Sequence, residues 1–249
     1  LLTARAGDTT TAMKLLEQAG SAPAGAPATR RRVAEEYALL LLDSGRPAEA
    51  VTVLKQALAN APGDAVLQHN YGVALIRALR WPEAVHALRL AHAAAPAYAP
   101  TMYALSAAHR GAGSGAEAIA ALQRGLELDP ENIERYFQLA QLFSEHQEYE
   151  SARRTLEQIL AIGAPTSLKI PVQVELALLA SRRGEHADAL TLMRAAAALD
   201  PETPWLLFDR GVLAWLAGEK TAAYRDLDRA LQKQPDNSVF AQTRADLLF

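Results

Sequence analysis

The chain has 249 residues, half of them apolar and only 6% aromatic, with a formal charge of −3 and a pI near 6.1. Nucleic-acid-binding proteins usually cluster Lys and Arg on one face. Here the densest basic run, residues 30–32, is followed by Glu35 and Glu36, so no nucleic-acid partner is expected. The absence of cysteine excludes disulfides, thiolate metal sites and cysteine nucleophiles, and no apolar run approaches the ~18 residues of a membrane span.

Taken in chain order, the sequence predicts helices and no strands. Residues 9–19 are expected to be the second helix of a hairpin whose first helix is mostly missing, and residues 20–29 form an extended loop rich in Ala, Pro and Gly. Six full helical hairpins follow, at 31–60, 65–94, 99–128, 133–162, 170–199 and 204–233, and a lone helix covers 238–249. The predicted division is therefore a partial repeat and loop at 1–30, six hairpins at 31–235 and a half repeat at 236–249. The connection at 163–171 is three residues longer than its equivalents.

Two independent series of residues set the repeat length. Pro62, Pro96 and Pro130 are 34 residues apart, as are Pro201 and Pro235. Seven alanines form the second series, with spacings of 38, 34, 34, 34, 37 and 34 residues: Ala12, Ala50, Ala84, Ala118, Ala152, Ala189 and Ala223. Four residues after each alanine stands a bulky apolar residue: Leu16, Leu54, Leu88, Leu122, Leu156, Met193 and Leu227. A fixed period of this length indicates a stack of similar supersecondary units.

Each repeated position has a physical reason. Two antiparallel helices cross closely where both carry small side chains, so Gly72 is expected to face Ala84 and Gly211 to face Ala223. The bulky residue is expected to fill the groove between one hairpin and the next. Four glycines stand where the first helix must end in a left-handed conformation: Gly45, Gly113, Gly184 and Gly218.

The order of small, small, bulky and Pro residues over 34 positions resembles the tetratricopeptide repeat, and the best unit runs over residues 65–96. The Trp that this family usually carries early in its first helix is absent from every unit. The resemblance implies an all-α, right-handed superhelical solenoid of antiparallel hairpins. It also implies that the first helices line a concave groove that holds an extended peptide or a helix of a partner protein.

Placing the repeat positions along such a groove predicts a weakly charged, aromatic surface. The predicted partner-binding residues are His69, Asn70, Val73, Tyr103, Arg110, Phe137, Gln141, Trp205, Phe208 and Trp215. Trp205, Phe208 and Trp215 are expected to cluster on the first helix of the sixth hairpin. Several of these aromatic residues could equally seal adjacent helices. If they face the groove, replacing Phe137 or Phe208 by a charged residue abolishes partner binding and leaves the helices intact.

Two known specialisations of the resembled family are not expected. The carboxylate clamp of its chaperone-binding members would need Lys, Asn and Arg on three successive first helices. With Asn70 in place, the other positions hold Glu35, Leu39, Pro100 and Ala104. The asparagine ladder of its glycosyltransferase members would occupy one position per repeat, which here holds Glu36, Asn70, Ala104, Gln138, Glu175 and Asp209.

No catalytic, cofactor or metal site is predicted. The six histidines lack metal-ligand spacing, and the acidic pairs do not converge as a general acid and base would. The glycine-rich stretch 111–115 follows a helix rather than a strand, so it is expected to be a turn inside a hairpin and not a phosphate loop.

The leading interpretation is a non-catalytic scaffold that binds a peptide or helix of another protein within a bacterial assembly, envelope or secretion system. Alternatives are the substrate-presenting arm of a larger enzyme or of a polysaccharide or protein exporter, and a scaffold that forms homo-oligomers through its repeat ends. Both ends of the sequence are interpreted as truncated. The bias towards Arg and Ala suggests a bacterial source, and the compartment stays open between cytoplasm and periplasm.

Overall fold

A computed structural model describes residues 27–248 of the chain. The predicted helix at residues 9–19 lies outside the described residues. Within the described range the fold is all-α, with thirteen helices and no strand, which confirms the predicted fold class. The helices are α1 (Pro27–Asp43), α2 (Pro47–Asn60), α3 (Ala65–Arg77), α4 (Trp81–Ala94), α5 (Ala99–Gly111), α6 (Gly115–Leu128), α7 (Ile133–Glu145), α8 (Tyr149–Ile162), α9 (Thr166–Arg182), α10 (His186–Leu199), α11 (Pro204–Leu216), α12 (Lys220–Lys233) and α13 (Ser238–Leu248).

Two helices begin earlier than the sequence predicts. α1 starts at Pro27, inside the stretch 20–29 that was expected to be a loop. α9 starts at Thr166 rather than at 170, so most of the longer connection is an extra helical turn. Pro171 lies inside α9, near its start, where it removes a single backbone hydrogen bond.

The chain divides into two compact units, with the boundary between Asn132 and Ile133. Unit 1 contains three hairpins, α1–α2, α3–α4 and α5–α6. Unit 2 contains α7–α8, α9–α10 and α11–α12, followed by α13. Inside each unit the second helix of one hairpin packs against the first helix of the next. First helices also pack on one another, α1 on α3 and α3 on α5 in unit 1, and α7 on α9 in unit 2. Within each unit, taken by itself, the first helices are called here the first-helix layer of that unit.

The core of each unit is built from the two repeated positions found in the sequence. The six described alanines of the series are fully buried, and the bulky residues four positions later are at most 2% exposed. A Cβ placed on Gly72 would lie 2.5 Å from Leu88 Cγ, so Leu88 packs directly on the Gly72 backbone within its own hairpin. A Cβ on Gly211 would lie 2.9 Å from Leu227 Cγ and 3.2 Å from the Ala223 carbonyl oxygen, which confirms the predicted close crossing there.

Every first helix that is followed by a second helix ends in the same left-handed turn. The amide of the left-handed residue donates to the carbonyl three residues back, and the next amide donates to the carbonyl five residues back, as in Gly45 N to Leu42 O and Arg46 N to Leu41 O. The four predicted glycines have φ between 71° and 83°. In the two repeats that lack glycine, Leu79 and Gln147 adopt φ of 59° and 63° at the same position.

Glycine at position 147 is therefore expected to stabilise the protein. A left-handed residue with a Cβ is strained by ~1–2 kcal/mol, part of which is offset by the greater flexibility of glycine in the unfolded chain. We expect Gln147→Gly to raise the free energy of unfolding by about 0.5–1 kcal/mol in guanidinium denaturation followed by circular dichroism. Gly113→Gln makes the reverse change at the equivalent turn and should lower it. A lower midpoint for Gln147→Gly would show that the side chain, and not the backbone, determines stability at this turn.

Candidate functional site

The first-helix layer carries apolar side chains that folding leaves exposed. In unit 1, Leu39 of α1 is 55% exposed, Val73 of α3 is partly exposed and Ala107 of α5 is exposed. In unit 2, the equivalent repeat positions hold the polar Gln141 of α7, then Leu178 of α9, which is 41% exposed, and the partly exposed Val212 of α11. Side chains at the core positions of the same helices, such as Leu41 and Leu75, are fully buried. The apolar residues at these positions are named here the apolar column of each unit, and of them Val212 also packs against the core.

A cavity of about 190 Å³ opens between α1 and α3 beside the apolar column of unit 1. Its lining consists of Glu35, Glu36, Ala38, Leu39, Leu42, Leu54, Asn70 and Val73. The two ionic residues in this lining are both carboxylates, and Asn70 adds an amide. Asn70 and Val73 were predicted as binding residues, whereas Glu35, Glu36, Leu39 and Leu42 were not, although the repeat period places them in the same layer.

Glu35 is the most constrained ionic group of this cavity. Its Oε1 lies 3.3 Å from Arg31 Nε, yet that oxygen is buried and accepts no hydrogen bond within the described part of the chain. Burial raises the pKa of Glu35 above its ordinary value, and the charge of Arg31 opposes this. Arg31 is shared with Asp64, whose carboxylate lies 3.3 Å from Arg31 Nη1. The Asp64 side chain in addition accepts the amides of Val66 and Leu67 at the start of α3.

His69 joins two hairpins of unit 1. Its Nδ1 lies 3.1 Å from Thr101 Oγ1 on α5, and its ring meets that of Tyr98 edge-on at 5.4 Å. Burial lowers the pKa of His69, which favours the neutral imidazole. Although it stands in the first-helix layer as predicted, its polar contact holds α3 to α5.

Tyr103 is buried and packs within its own hairpin. A Cβ placed on Gly125 would lie 2.4 Å from Tyr103 Cε1, so the ring rests on the α6 backbone. The phenol hydroxyl donates towards the Gly125 carbonyl or the Asp129 carboxylate, each 3.2 Å away. Of the two roles open to Tyr103, the structure supports packing.

Three other predicted residues remain accessible to different extents. Phe137 and Gln141 of α7 are partly buried, and Arg110 of α5 is exposed. Phe137 and Gln141 belong to unit 2 and Arg110 to unit 1. These three residues stay candidates for binding.

The aromatic residues of α11 separate into two groups. Phe208 is buried and stacks on the fully buried Phe240 of α13, with ring centres 4.6 Å apart. Trp205 lies edge-on to both rings and is 48% exposed. Trp215 instead contacts Tyr224 of α12 at 5.7 Å and receives the Lys220 ammonium over its ring at 5.0 Å.

Two sequence expectations are corrected by this arrangement. Trp215 contacts α12 rather than Trp205 and Phe208, because ten residues of helix separate it from Trp205. A charged residue in place of Phe208 would put an unpaired charge against Phe240, so this substitution cannot leave the packing of α11 and α13 intact. The exposed part of Trp205 is what this cluster presents to solvent.

Asp209 stands at the position that an asparagine ladder would occupy, and it is partly buried. Burial raises the pKa of Asp209 above its ordinary value. It makes no ion pair or hydrogen bond with residues 27–248. Its neighbour Arg210 pairs with Asp226 instead.

The remaining features carry no chemistry within residues 27–248. Residues 111–115 form the predicted turn between α5 and α6, with Gly113 left-handed. No group of three or more His, Asp and Glu side chains in this range could hold a metal ion. Nor does the range contain a helix with the length and apolarity to cross a bilayer.

Comparison with known proteins agrees with the repeat pattern. Two family models described as tetratricopeptide repeat match the chain, one at residues 41–108 and 109–167 and the other at residues 4–65 and 174–238. Among curated proteins, TPR repeat-containing protein PA4667 of Pseudomonas aeruginosa is 27% identical over 168 residues, 67% of this chain and 28% of that protein. The Hsp70-Hsp90 organizing protein of Triticum aestivum is 37% identical over 89 residues, 36% of this chain and 15% of that protein. The chain therefore matches less than a third of either relative.

Solved structures share the fold at low sequence identity. PilF of Pseudomonas aeruginosa superposes with a TM-score of 0.65 at 18% identity, covering 87% of this chain and 97% of that one. YrrB, described as a TPR protein with an unusual peptide-binding site, gives 0.62 at 17% identity, covering 77% and 97%. A tetratricopeptide repeat protein from Parabacteroides merdae gives 0.63 at 16% identity, covering 98% and 93%.

Proposed function

The chain belongs to the tetratricopeptide repeat family, and on that premise we propose that it is a non-catalytic scaffold whose first-helix layers bind a peptide or helix of a partner protein. Members of this family generally mediate contacts between proteins. The peptide-binding site described for YrrB supports the proposal by analogy of fold. A bacterial assembly, envelope or secretion system is the proposed setting.

The apolar column is the observation that carries this proposal. Leu39 and Leu178 are each about half exposed at equivalent repeat positions, on helices whose core-facing side chains are buried. Exposed apolar residues that recur on one face mark an interaction surface better than single scattered ones do. Because hairpin stacking already fills the core without them, a partner is the means by which these side chains leave water.

Site-specific photo-crosslinking tests this directly. We expect a photoreactive phenylalanine analogue at Leu39 or Leu178, introduced into the full chain in its native host, to capture a partner protein that mass spectrometry can identify. The matched controls are Leu90 of α4 and Leu199 of α10, which are 44% and 52% exposed but belong to second helices. These positions should give little or no product.

The pattern of products decides the outcome. Capture from Leu39 and Leu178 but not from Leu90 and Leu199 supports binding by the first-helix layer. Equal capture from both sets, or capture from the second helices alone, would contradict it, because all four side chains have similar exposure and apolar character.

A further inference from the structure

We propose that the cavity between α1 and α3 recognises a partner segment in which an aliphatic side chain is followed or preceded, within a few residues, by a Lys or Arg. This rests on the proposed function and adds the chemistry of the partner. The aliphatic group enters the cavity beside Leu39, and the basic group lies at the carboxylates of Glu35 and Glu36.

The size of the cavity selects a side chain. At about 190 Å³ it is smaller than the ~300–1,000 Å³ of small-molecule sites, whereas an apolar cavity of ~150 Å³ already accommodates a benzene-sized group. Its apolar lining comes from three helices, with Leu39 and Leu42 on α1, Leu54 on α2 and Val73 on α3. One branched aliphatic side chain fits this volume and this lining.

The charge of the rim selects a cation. Both ionic residues in the lining are carboxylates. Glu36 is exposed and makes no ion pair with residues 27–248, so its charge is available to a partner. Of the nearby cations, Arg31 is already divided between Glu35 and Asp64, and the charge of Arg32 also acts on Glu35.

The state of Glu35 supports the same assignment. Its buried Oε1 lacks a hydrogen-bond donor in the described part of the chain, and its burial disfavours the charged form. A partner ammonium or guanidinium at the rim would favour the charged carboxylate of Glu35 through its positive charge. Asn70, on the opposite wall, can bond the backbone of the same segment.

A random-peptide phage library selected on the purified full chain is the first experiment. We expect the recovered peptides to share a Leu, Ile or Val close to a Lys or Arg. A peptide from this set, synthesised with a fluorescent label, should bind in an anisotropy titration. Its affinity should weaken ~2- to 5-fold in Glu36→Gln and further in Glu36→Lys, and should fall as salt is raised.

A matched control variant tests whether net charge alone changes the affinity, and a variant at Leu39 tests the apolar part of the site. Glu127→Gln removes an exposed carboxylate from the second helix α6 and should leave the affinity unchanged. Leu39→Ser should weaken binding without loss of thermal stability, because Leu39 is mostly exposed. Equal weakening by Glu36→Gln and Glu127→Gln would overturn the site, since it would show an effect of net charge alone.

The outcomes separate this inference from the proposed function. Peptides that bind but lack a basic residue, or that are insensitive to Glu36 and Leu39, leave the scaffold function standing and overturn the cavity assignment. Recovery of no peptide counts against both, whereas capture from Leu178 alone in the crosslinking experiment counts against the cavity only. A photoreactive group at Leu39 that labels a second copy of this chain, or residues 1–26 of the same chain, would also overturn it by naming another occupant.

Discussion

Replacing Arg210 by methionine is expected to lower the free energy of unfolding by about 3 kcal/mol. Arg210 of α11 and Asp226 of α12 form a two-pronged ion pair, with Nε to Oδ2 at 2.5 Å and Nη2 to Oδ1 at 2.7 Å. The Asp226 side chain is only 9% exposed, and its carboxylate holds the pKa of Arg210 above the ordinary value. Without Arg210 this carboxylate would stay buried with its main partner removed.

The loss is expected to come from the unpaired carboxylate rather than from the pair itself. Burying two charges costs roughly what their attraction returns, so replacing both partners by apolar residues is often neutral. We therefore expect Arg210→Met combined with Asp226→Leu to recover most of the stability. Hydrogen exchange read by mass spectrometry should show the single variant opening first in α11 and α12.

An exposed ion pair provides the matched control. Arg124 and Glu127 also join as charged neighbours, but their side chains are 54% and 62% exposed. Arg124→Met should leave the denaturation midpoint unchanged, because water replaces the lost partner. If the two arginine variants were equally stable, burial of Asp226 would not be what makes Arg210 necessary.

Replacing Leu88 by alanine is expected to cost a similar amount, about 3 kcal/mol. Leu88 is fully buried and lies against the backbone of Gly72, where α3 and α4 pack closely. Removing most of its side chain leaves a cavity that the rigid helix backbone cannot close. Leu90→Ala, on the same helix but 44% exposed, should change the free energy of unfolding by less than about 0.5 kcal/mol.

The Gly72 contact gives this prediction a second readout. Gly72→Ala alone should destabilise, because its new methyl group would lie 2.5 Å from Leu88 Cγ. Combined with Leu88→Ala the same change should stabilise, since space is then available and alanine favours a helix by ~1 kcal/mol over glycine. Additive effects of the two substitutions in guanidinium denaturation would contradict direct packing of Leu88 on Gly72.

The repeat period predicted much of the candidate site, whereas the aromatic character of single residues did not. The period placed Asn70, Val73 and Leu39 in one layer, and the structure brings these three together at the cavity. Aromatic character alone misdirected the prediction at Tyr103 and Phe208, because a large apolar ring suits a groove and a helix interface equally. Which of the two it occupies depends on whether another helix reaches it, as Phe240 reaches Phe208.

The sequence by itself determined the repeat, its buried alanines and leucines, and the left-handed ends of the first helices, because each follows from local geometry at a fixed spacing. The left-handed turn recurs even at Leu79 and Gln147, although neither residue is glycine. Only the tertiary structure decided the Arg210–Asp226 pair, the burial of Phe208 and the cavity lined by Glu35 and Glu36. These depend on which side chains of different helices come within a few ångströms of one another. The spacing of residues along one helix cannot predict such contacts.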